Sequence, residues 1–346
     1  MALGVSHPTS RTLPPQVGAL RFSLLVMSAL TGHERPAVEA ARSAPVGVVE
    51  RPRERSSPLG VVRAYLALTK PRIVELLLVT AVPTTFLAAG GLPRLLDVLV
   101  VIVAGALSAG SANALNCYID RDIDQVMRRT ARRPLPQHVV APRQALGFGL
   151  GIGVGSVAVM ALVANLLAAA LTAGAIFYYV VVYTLLLKRH TVHNTVLGGV
   201  CGAMPVLIAW AVVTGTLAWP AWVLFGVVFF WQPTHFWALA VKFKDDYAAA
   251  GIPMLPVVAS LTRVAVESLG YAVLTVACSL LLWPVVSGPV YPVVAVVVGV
   301  LLLVEASRPL IRVRRGLDPR PMRLFHWTNT YLTLLFLGLA VDAIVG

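Results

Sequence analysis

Nine apolar runs of helix length constrain this sequence more than any other feature. They fall at 73–92, 95–117, 144–164, 167–187, 195–214, 219–240, 264–284, 289–307 and 324–345, and about twenty such residues carry a helix across a bilayer. A segment in lipid must satisfy its own backbone hydrogen bonds, which leaves only helices or closed barrels. Barrel strands are shorter and alternate apolar with polar residues. These runs are continuous, so the predicted fold class is all-α: a polytopic membrane protein with nine transmembrane helices in a bundle. Only 12% of the residues are charged, about half the usual share in soluble domains, which excludes a soluble two-domain chain. Pro83, Pro205 and Pro233 lie inside the runs, where membrane helices tolerate proline.

The charges that remain are unbalanced, with 28 Lys and Arg against 15 Asp and Glu and a net charge of +13. Such an excess invites a nucleic-acid partner, so its placement along the chain matters. With nine spans, alternate connections share one side of the membrane. The stretch up to Arg72 and the segments 118–143, 188–193, 241–263 and 308–323 share a side and hold 27 of the 28 cations; Arg94 alone falls opposite. Basic loops stay cytoplasmic. The expected topology is a cytoplasmic N-terminus and an external C-terminus, and the excess orients helices in a lipid bilayer, with no nucleic-acid partner needed. Residues 1–60 are rich in Pro, Ser, Ala and Arg without sustained periodicity and read as a disordered cytoplasmic extension, leaving 61–346 as the membrane domain. Within the extension, Val17 to Thr31 lacks a clean signal-cleavage site, and Glu34, Glu39, Glu50 and Glu54 argue against a transit peptide. That, with arginine far outnumbering lysine, points to a bacterial plasma membrane. Cys117, Cys201 and Cys278 lie far apart in apolar runs, so neither a disulfide framework nor a zinc site is expected.

The external connections are short and bland, whereas the basic side holds nearly all the chemistry. At the end of the second run stands Asn113-Ala-Leu-Asn116-Cys-Tyr-Ile-Asp120-Arg-Asp-Ile-Asp124. Asn116, Asp120 and Asp124 are spaced i, i+4, i+8, and at about 100° per residue they drift only about 80° around a helix. Carboxylates at the rim of a membrane cavity are costly to leave unpaired. Two readings stay open on spacing alone. One is a solvated helix end whose acids pair with Arg121, Arg128 and Arg129. The other is a face of hard oxygen ligands for Mg2+ bridging a diphosphate, because Mg2+ takes one or two carboxylates plus phosphate oxygens. Four arginines follow at once in Arg128-Arg129-Thr-Ala-Arg132-Arg133-Pro-Leu-Pro136. They suit bidentate contacts to phosphate, and lipid anchoring would account for their charge but not for the adjacent acidic face.

The other basic connections add matching pieces: Thr69-Lys70-Pro-Arg72, Leu187-Lys188-Arg189-His190, His193-Asn194, Trp231-Gln-Pro-Thr-His235, and Lys242-Phe-Lys244-Asp245-Asp246-Tyr247. All four lysines of the chain (Lys70, Lys188, Lys242 and Lys244) stand in these strings. Anchoring would be served equally by arginine, so their retention here hints at a specific task. His235, flanked by aromatics, reads either as a packing and hydrogen-bonding residue or as a ligand, and His326 stays open in the same way. A transporter would set its polar groups near the midplane on broken helices; here they gather at one rim.

These strings resemble the heme branch of the UbiA superfamily of intramembrane prenyltransferases over about residues 61–346. The Asn116/Asp120/Asp124 spacing is shared across the superfamily. Tyr65-Leu-Ala-Leu-Thr-Lys-Pro-Arg72, His235-Phe-Trp-Ala-Leu239 and Asn329-Thr-Tyr-Leu332 carry the match further, and Arg132-Arg133-Pro-Leu-Pro136, Leu187-Lys188-Arg189, and Asp245-Asp-Tyr247 with Ala250-Gly-Ile-Pro-Met-Leu-Pro256 point to the branch. The resemblance implies a bundle around a cavity open to the cytoplasmic side. The implied reaction moves a farnesyl group from farnesyl diphosphate to the 2-vinyl group of protoheme IX, giving heme O. It implies Mg2+ on Asp120, Asp124, Asp245 and Asp246, with Asn116, Asp120, Asp124, Lys188 and Arg189 as the catalytic set. Lys70, Arg72, Arg128, Arg132, Arg133, Asn194, Lys242, Tyr247 and His235 become substrate-binding residues. Position 250 is Ala where a second DxxxD pattern would place a carboxylate. The alternative within the superfamily is a quinone-precursor or other aromatic acceptor. For partners, the resemblance points to heme A synthase and terminal-oxidase assembly factors.

Overall fold

The computed structural model describes residues 57–346. The extension expected at 1–60 lies outside the described residues up to 56, and Pro58 already opens a helix. We number the helices α1 Pro58–Thr69, α2 Pro71–Ala89, α3 Leu95–Ile119, α4 Arg121–Val126, α5 Pro142–Ala164, α6 Leu166–Leu187, α7 Asn194–Thr214, α8 Trp219–Lys242, α9 Lys244–Ala249, α10 Leu255–Val258, α11 Leu261–Leu280, α12 Val290–Arg314 and α13 Pro321–Val345. Nine of these are long and apolar enough to cross a membrane, and they coincide with the nine runs. Five ends differ by three residues or more: α2 stops at Ala89 rather than 92, α11 runs from Leu261 to Leu280 rather than 264–284, α12 extends to Arg314 rather than 307, and α13 opens at Pro321 rather than 324. Helix α11 starts at Leu261 because the Ser260 side chain accepts from Arg263 N and caps it. Helix α12 runs on to Arg314, well past its apolar stretch.

Around the bundle α2, α3, α5, α6, α7, α8, α11, α12 and α13 pack in that order, and α13 closes against α2. Helices α3 and α5 approach closely because Gly149 and Gly153 lie one turn apart and face α3. A Cβ at Gly149 would sit 2.9 Å from the Leu115 side chain, and one at Gly153 2.5 Å from Ser111 Oγ. Ser111 Oγ uses the gap to donate to the Gly149 carbonyl at 2.7 Å. Without a hydrophobic drive between helices in lipid, such close backbone packing holds them together. The outward face carries exposed Val154, Leu162, Val297 and Leu337, a surface that suits lipid rather than water.

Six apolar clusters form among the described residues, and two are the largest. One joins α8, α11, α12 and α13 through Val227, Leu302 and Phe336; the other joins α3, α5, α6 and α7 through Val101, Met160, Ala169 and Ala209. Between them α2, α3, α6, α7, α8 and α13 line a cavity of 750 Å3. Helix α6 changes its winding along this wall. It is α-helical over Leu166–Phe177 and π-helical over Tyr178–Leu187.

Candidate active site

The polar cluster predicted at the basic rim forms behind the Tyr179 and Tyr183 wall of this cavity, to which Thr184 links it. Helix α3 stops at Ile119, and Asp120 takes φ −84° and ψ 6° before α4 begins. The single helix implied by the i, i+4, i+8 spacing is therefore broken at Asp120. The i to i+4 bonds nonetheless persist across the break, Asp120 N to Asn116 O at 2.9 Å and Asp124 N to Asp120 O at 2.8 Å. The three side chains stay together, and all are buried.

Three cationic elements converge on them. Lys188 Nζ donates to Asp120 Oδ2 at 2.5 Å, and Asn116 Nδ2 donates to the same oxygen at 2.6 Å. Lys70 Nζ donates to Asn116 Oδ1 at 2.7 Å. Arg133 Nη1 bonds both oxygens of Asp124 at 2.9 and 2.7 Å. Arg189 grips Asp122 with two bonds of 2.7 Å while its Nη2 lies 3.5 Å from Asp120 Oδ1. That Oδ1 is buried and makes no hydrogen bond. Among the described residues it is the one buried carboxylate oxygen that makes no hydrogen bond.

The winding of α6 delivers Lys188. Tyr179 and Lys188 are nine residues apart, which on an α-helix sets them on opposite faces. On a π-helix, with i to i+5 bonding and roughly 4.4 residues per turn, they return to nearly the same face. The backbone bond at the end of α6 is present, Lys188 N to Tyr183 O at 2.8 Å, and one turn earlier the Thr184 side-chain hydroxyl donates to the Tyr179 carbonyl at 2.8 Å. Tyr179 and Tyr183 thereby line the cavity while Thr184 accepts from Asn116 Nδ2 at 3.2 Å. Lys70 is delivered by strain. It sits between α1 and α2 with φ 53° and ψ 64°, a left-handed conformation unusual for a side-chain-bearing residue and of a kind that collects at functional sites. Burial, reinforced by Arg133 and Lys188 nearby, lowers its pKa to about 8. The Arg189 bond holds the Asp122 carboxyl down at about 2.

The remaining predicted residues are placed as follows. His235 and Arg72 line the cavity. Arg128 turns to Asp246 at 3.0 Å, and Arg129 donates its backbone N–H to Asp246 and its Nη2 to Tyr247 Oη at 3.2 Å. Asp246 is thus committed to the arginine loop, Asp245 is exposed, and no group of three or more His, Cys, Asp or Glu side chains assembles among the described residues. The four-aspartate metal site implied by the resemblance is not brought together. Asn194 is buried in a local turn, donating to Thr191 O at 2.7 Å and accepting from Thr195, while Arg132 and Lys242 are exposed. Sequence reasoning passed over Thr184, Tyr179 and Thr328. Their signal was polarity inside an apolar run, which periodicity alone does not rank.

The remaining donors fit Mg2+ without the second pair. That ion needs only one or two carboxylates beside phosphate oxygens, and Asp120 Oδ1 lacks a partner next to Asp124. A buried acid–cation cluster beside an apolar cavity suits an ionic head on an apolar chain. Comparison with known proteins agrees with this. The UbiA prenyltransferase family model matches residues 77–329. This chain belongs to the UbiA prenyltransferase family. Within it, the chain is 62% identical to the protoheme IX farnesyltransferase of Salinispora tropica over 287 residues, covering 82% of this chain and 90% of that one. It is 59% identical to the protein of that name from Frankia alni, covering 82% and 99%. The UbiA fold is also matched in a structure reported for digeranylgeranylglyceryl phosphate synthase in membranes (TM-score 0.67, 16% identity, 82% of this chain and 99% of that one). A UbiA homolog from Archaeoglobus fulgidus bound to DMAPP and Mg2+ matches with TM-score 0.56 and 16% identity, over 80% and 99%.

Proposed function

We propose that this prenyltransferase transfers a farnesyl group from farnesyl diphosphate to the 2-vinyl group of protoheme IX, forming heme O and diphosphate. The observation that carries the site assignment is the open Oδ1 of buried Asp120 inside a ring of Lys70, Arg133, Lys188 and Arg189. The acceptor rests on relatives 50–62% identical that bear the protoheme IX farnesyltransferase name.

Asp120 and Asp124, with Asn116 assisting, would hold Mg2+, which when bound neutralises charge growing on the departing diphosphate. Lys188, Arg189 and Arg133 are already poised on the aspartates and can shift to the outer phosphate oxygens, where charge develops as the bond breaks. Cleavage of the C–O bond releases diphosphate and leaves an allylic cation. The apolar cavity keeps water from it, and the faces of Tyr179 and Tyr183 can stabilise it. The vinyl π-bond then forms the new C–C bond. The cation left beside the porphyrin takes hydroxide from water, which gives up a proton, so no strong general base is required for the attack. The chain would lie in a bacterial plasma membrane with its basic rim and N-terminus cytoplasmic, and heme A synthase or terminal-oxidase assembly factors would receive its product.

Membranes carrying the chain, given farnesyl diphosphate with either protoheme IX or 4-hydroxybenzoate, should yield heme O by mass and no prenylated benzoate. The opposite pattern would move the chain to the quinone-type alternative. Asp120→Ala should abolish the product with the protein still present and folded in the membrane; heme O formed by that variant would sink the site assignment.

A further inference from the structure

The cavity presents one nitrogen lone pair that prenyl transfer does not itself require. His235, on α8, is buried with nearly every side occupied. Trp231 stacks on it at 4.3 Å between ring centroids and 17° between planes, and Phe325 at 4.4 Å and 27°. Two rings cannot share one face at that distance, so both faces of the imidazole are covered. Nδ1 lies 2.9 Å from Thr328 Oγ1. With the Thr328 hydroxyl proton assigned to the Phe325 carbonyl at 2.7 Å, its oxygen accepts from His235, and the tautomer that follows carries its proton on Nδ1. Nε2 is then left with a bare lone pair. Among the described residues it has no hydrogen-bond partner, and His235 lines the cavity.

An imidazole held by stacking on both faces and by a hydrogen bond at the far nitrogen can act only through its free edge. This is how proteins orient a histidine that ligates a metal. Helices α8 and α13 line the same cavity as α3 and α6, so on the proposed reading the nitrogen would meet a molecule lying beside the prenyl chain. On the reading that the acceptor is a heme, we propose that His235 Nε2 is an axial ligand of the acceptor's iron. The bond forms by donation of the Nε2 lone pair into an empty iron site, with no electron or proton transferred. His235 is a positioning residue in this account: it ties the porphyrin to the α8–α13 wall, so that the vinyl group is held while the allylic cation forms.

Cys201 on α7 also lines the cavity and is the competing ligand. The test loads the full chain in nanodiscs with ferric and ferrous protoheme IX and records visible and resonance Raman spectra, with heme O measured in parallel. Wild type and Cys201→Ala should show an iron–histidine signature. His235→Ala should lose it, and added imidazole should restore it. Thr328→Val should keep the signature while heme affinity falls about tenfold. An unchanged signature in His235→Ala, or its loss in Cys201→Ala, overturns the ligation. Wild type that makes heme O without any iron–histidine signature sinks the ligation and leaves the proposed reaction standing. Wild type that neither binds nor farnesylates heme removes the acceptor reading, and the ligation with it.

Discussion

Asp120 and Glu305 are two buried carboxylates at the same end of the bundle, each held by two cationic side chains, yet they are built for different ends. Glu305, near the end of α12, has Arg308 at 2.5 Å on Oε1 and Arg323 on both oxygens at 3.0 and 2.9 Å. Every acceptor direction that matters is used, and the pair bolts α12 to α13. Asp120 has both its short bonds on Oδ2, while Oδ1 makes no hydrogen bond and has only the Arg189 guanidinium at 3.5 Å. Glu305 borders a smaller surface pocket among arginines, whereas the Asp120 network reaches the large cavity through Thr184, which accepts from Asn116 and donates to the backbone carbonyl of cavity-lining Tyr179. A buried acid whose partners are complete holds the fold. One kept incomplete beside an apolar space is available to a ligand.

Matched isosteric changes should separate the two most sharply. Asp120→Asn should lower heme O turnover about a thousandfold in the protein that remains folded, and, because it removes a buried acid paired with Lys188 and Arg189, it should also cost about 3 kcal/mol of stability. Glu305→Gln should show a similar stability loss of about 3 kcal/mol with turnover in the surviving protein near wild type. If the two variants exchanged these phenotypes, the contrast between clamp and site would be lost.

The next effect is pH-dependent and belongs to the Asp120 side alone. Lys70 has its pKa lowered to about 8 from 10.5, so its ammonium is complete below that value and is lost as pH rises through it. Bound diphosphate keeps the proton on, so KM for farnesyl diphosphate should rise above pH 8 while kcat holds. Lys70→Arg should flatten that rise, and a rise surviving in the variant would remove Lys70 from diphosphate binding. The stability term has the opposite sign. Between about pH 8 and 10.5 the unfolded chain binds the extra proton, so folding gains as pH increases.

The smallest effect is expected at Asp122. Its carboxyl is 59% exposed, and its pKa is held at about 2 by Arg189. The pair is complete above the ordinary value of 3.8 and fails only as pH falls through about 2. Asp122→Asn should therefore change KM by about twofold or less at neutral pH. A large loss would mean that Arg189 cannot reach the diphosphate without it.

Much of this was legible in one dimension. Hydropathy marks each span independently of its neighbours, so nine runs became nine helices, and the i, i+4, i+8 spacing kept Asn116, Asp120 and Asp124 together even across a broken helix. Partner choice was not legible. The acidic and basic strings name the groups but not the distances, and Asp246 went to Arg128 and Arg129 rather than to the first motif. The resemblance singled out His235, but only packing against Trp231, Phe325 and Thr328 reveals which nitrogen it offers.

The sequence by itself determined the membrane fold, the one-sided charge and the identity of the Asp120 motif, because hydrophobic length and helical spacing are properties of a segment alone. The tertiary structure decided which groups meet. The π-turns of α6 swing Lys188 and Thr184 onto the motif, and the left-handed Lys70 aims its ammonium at Asn116. Both placements depend on how one helix is wound and packed against another, and no local pattern encodes that.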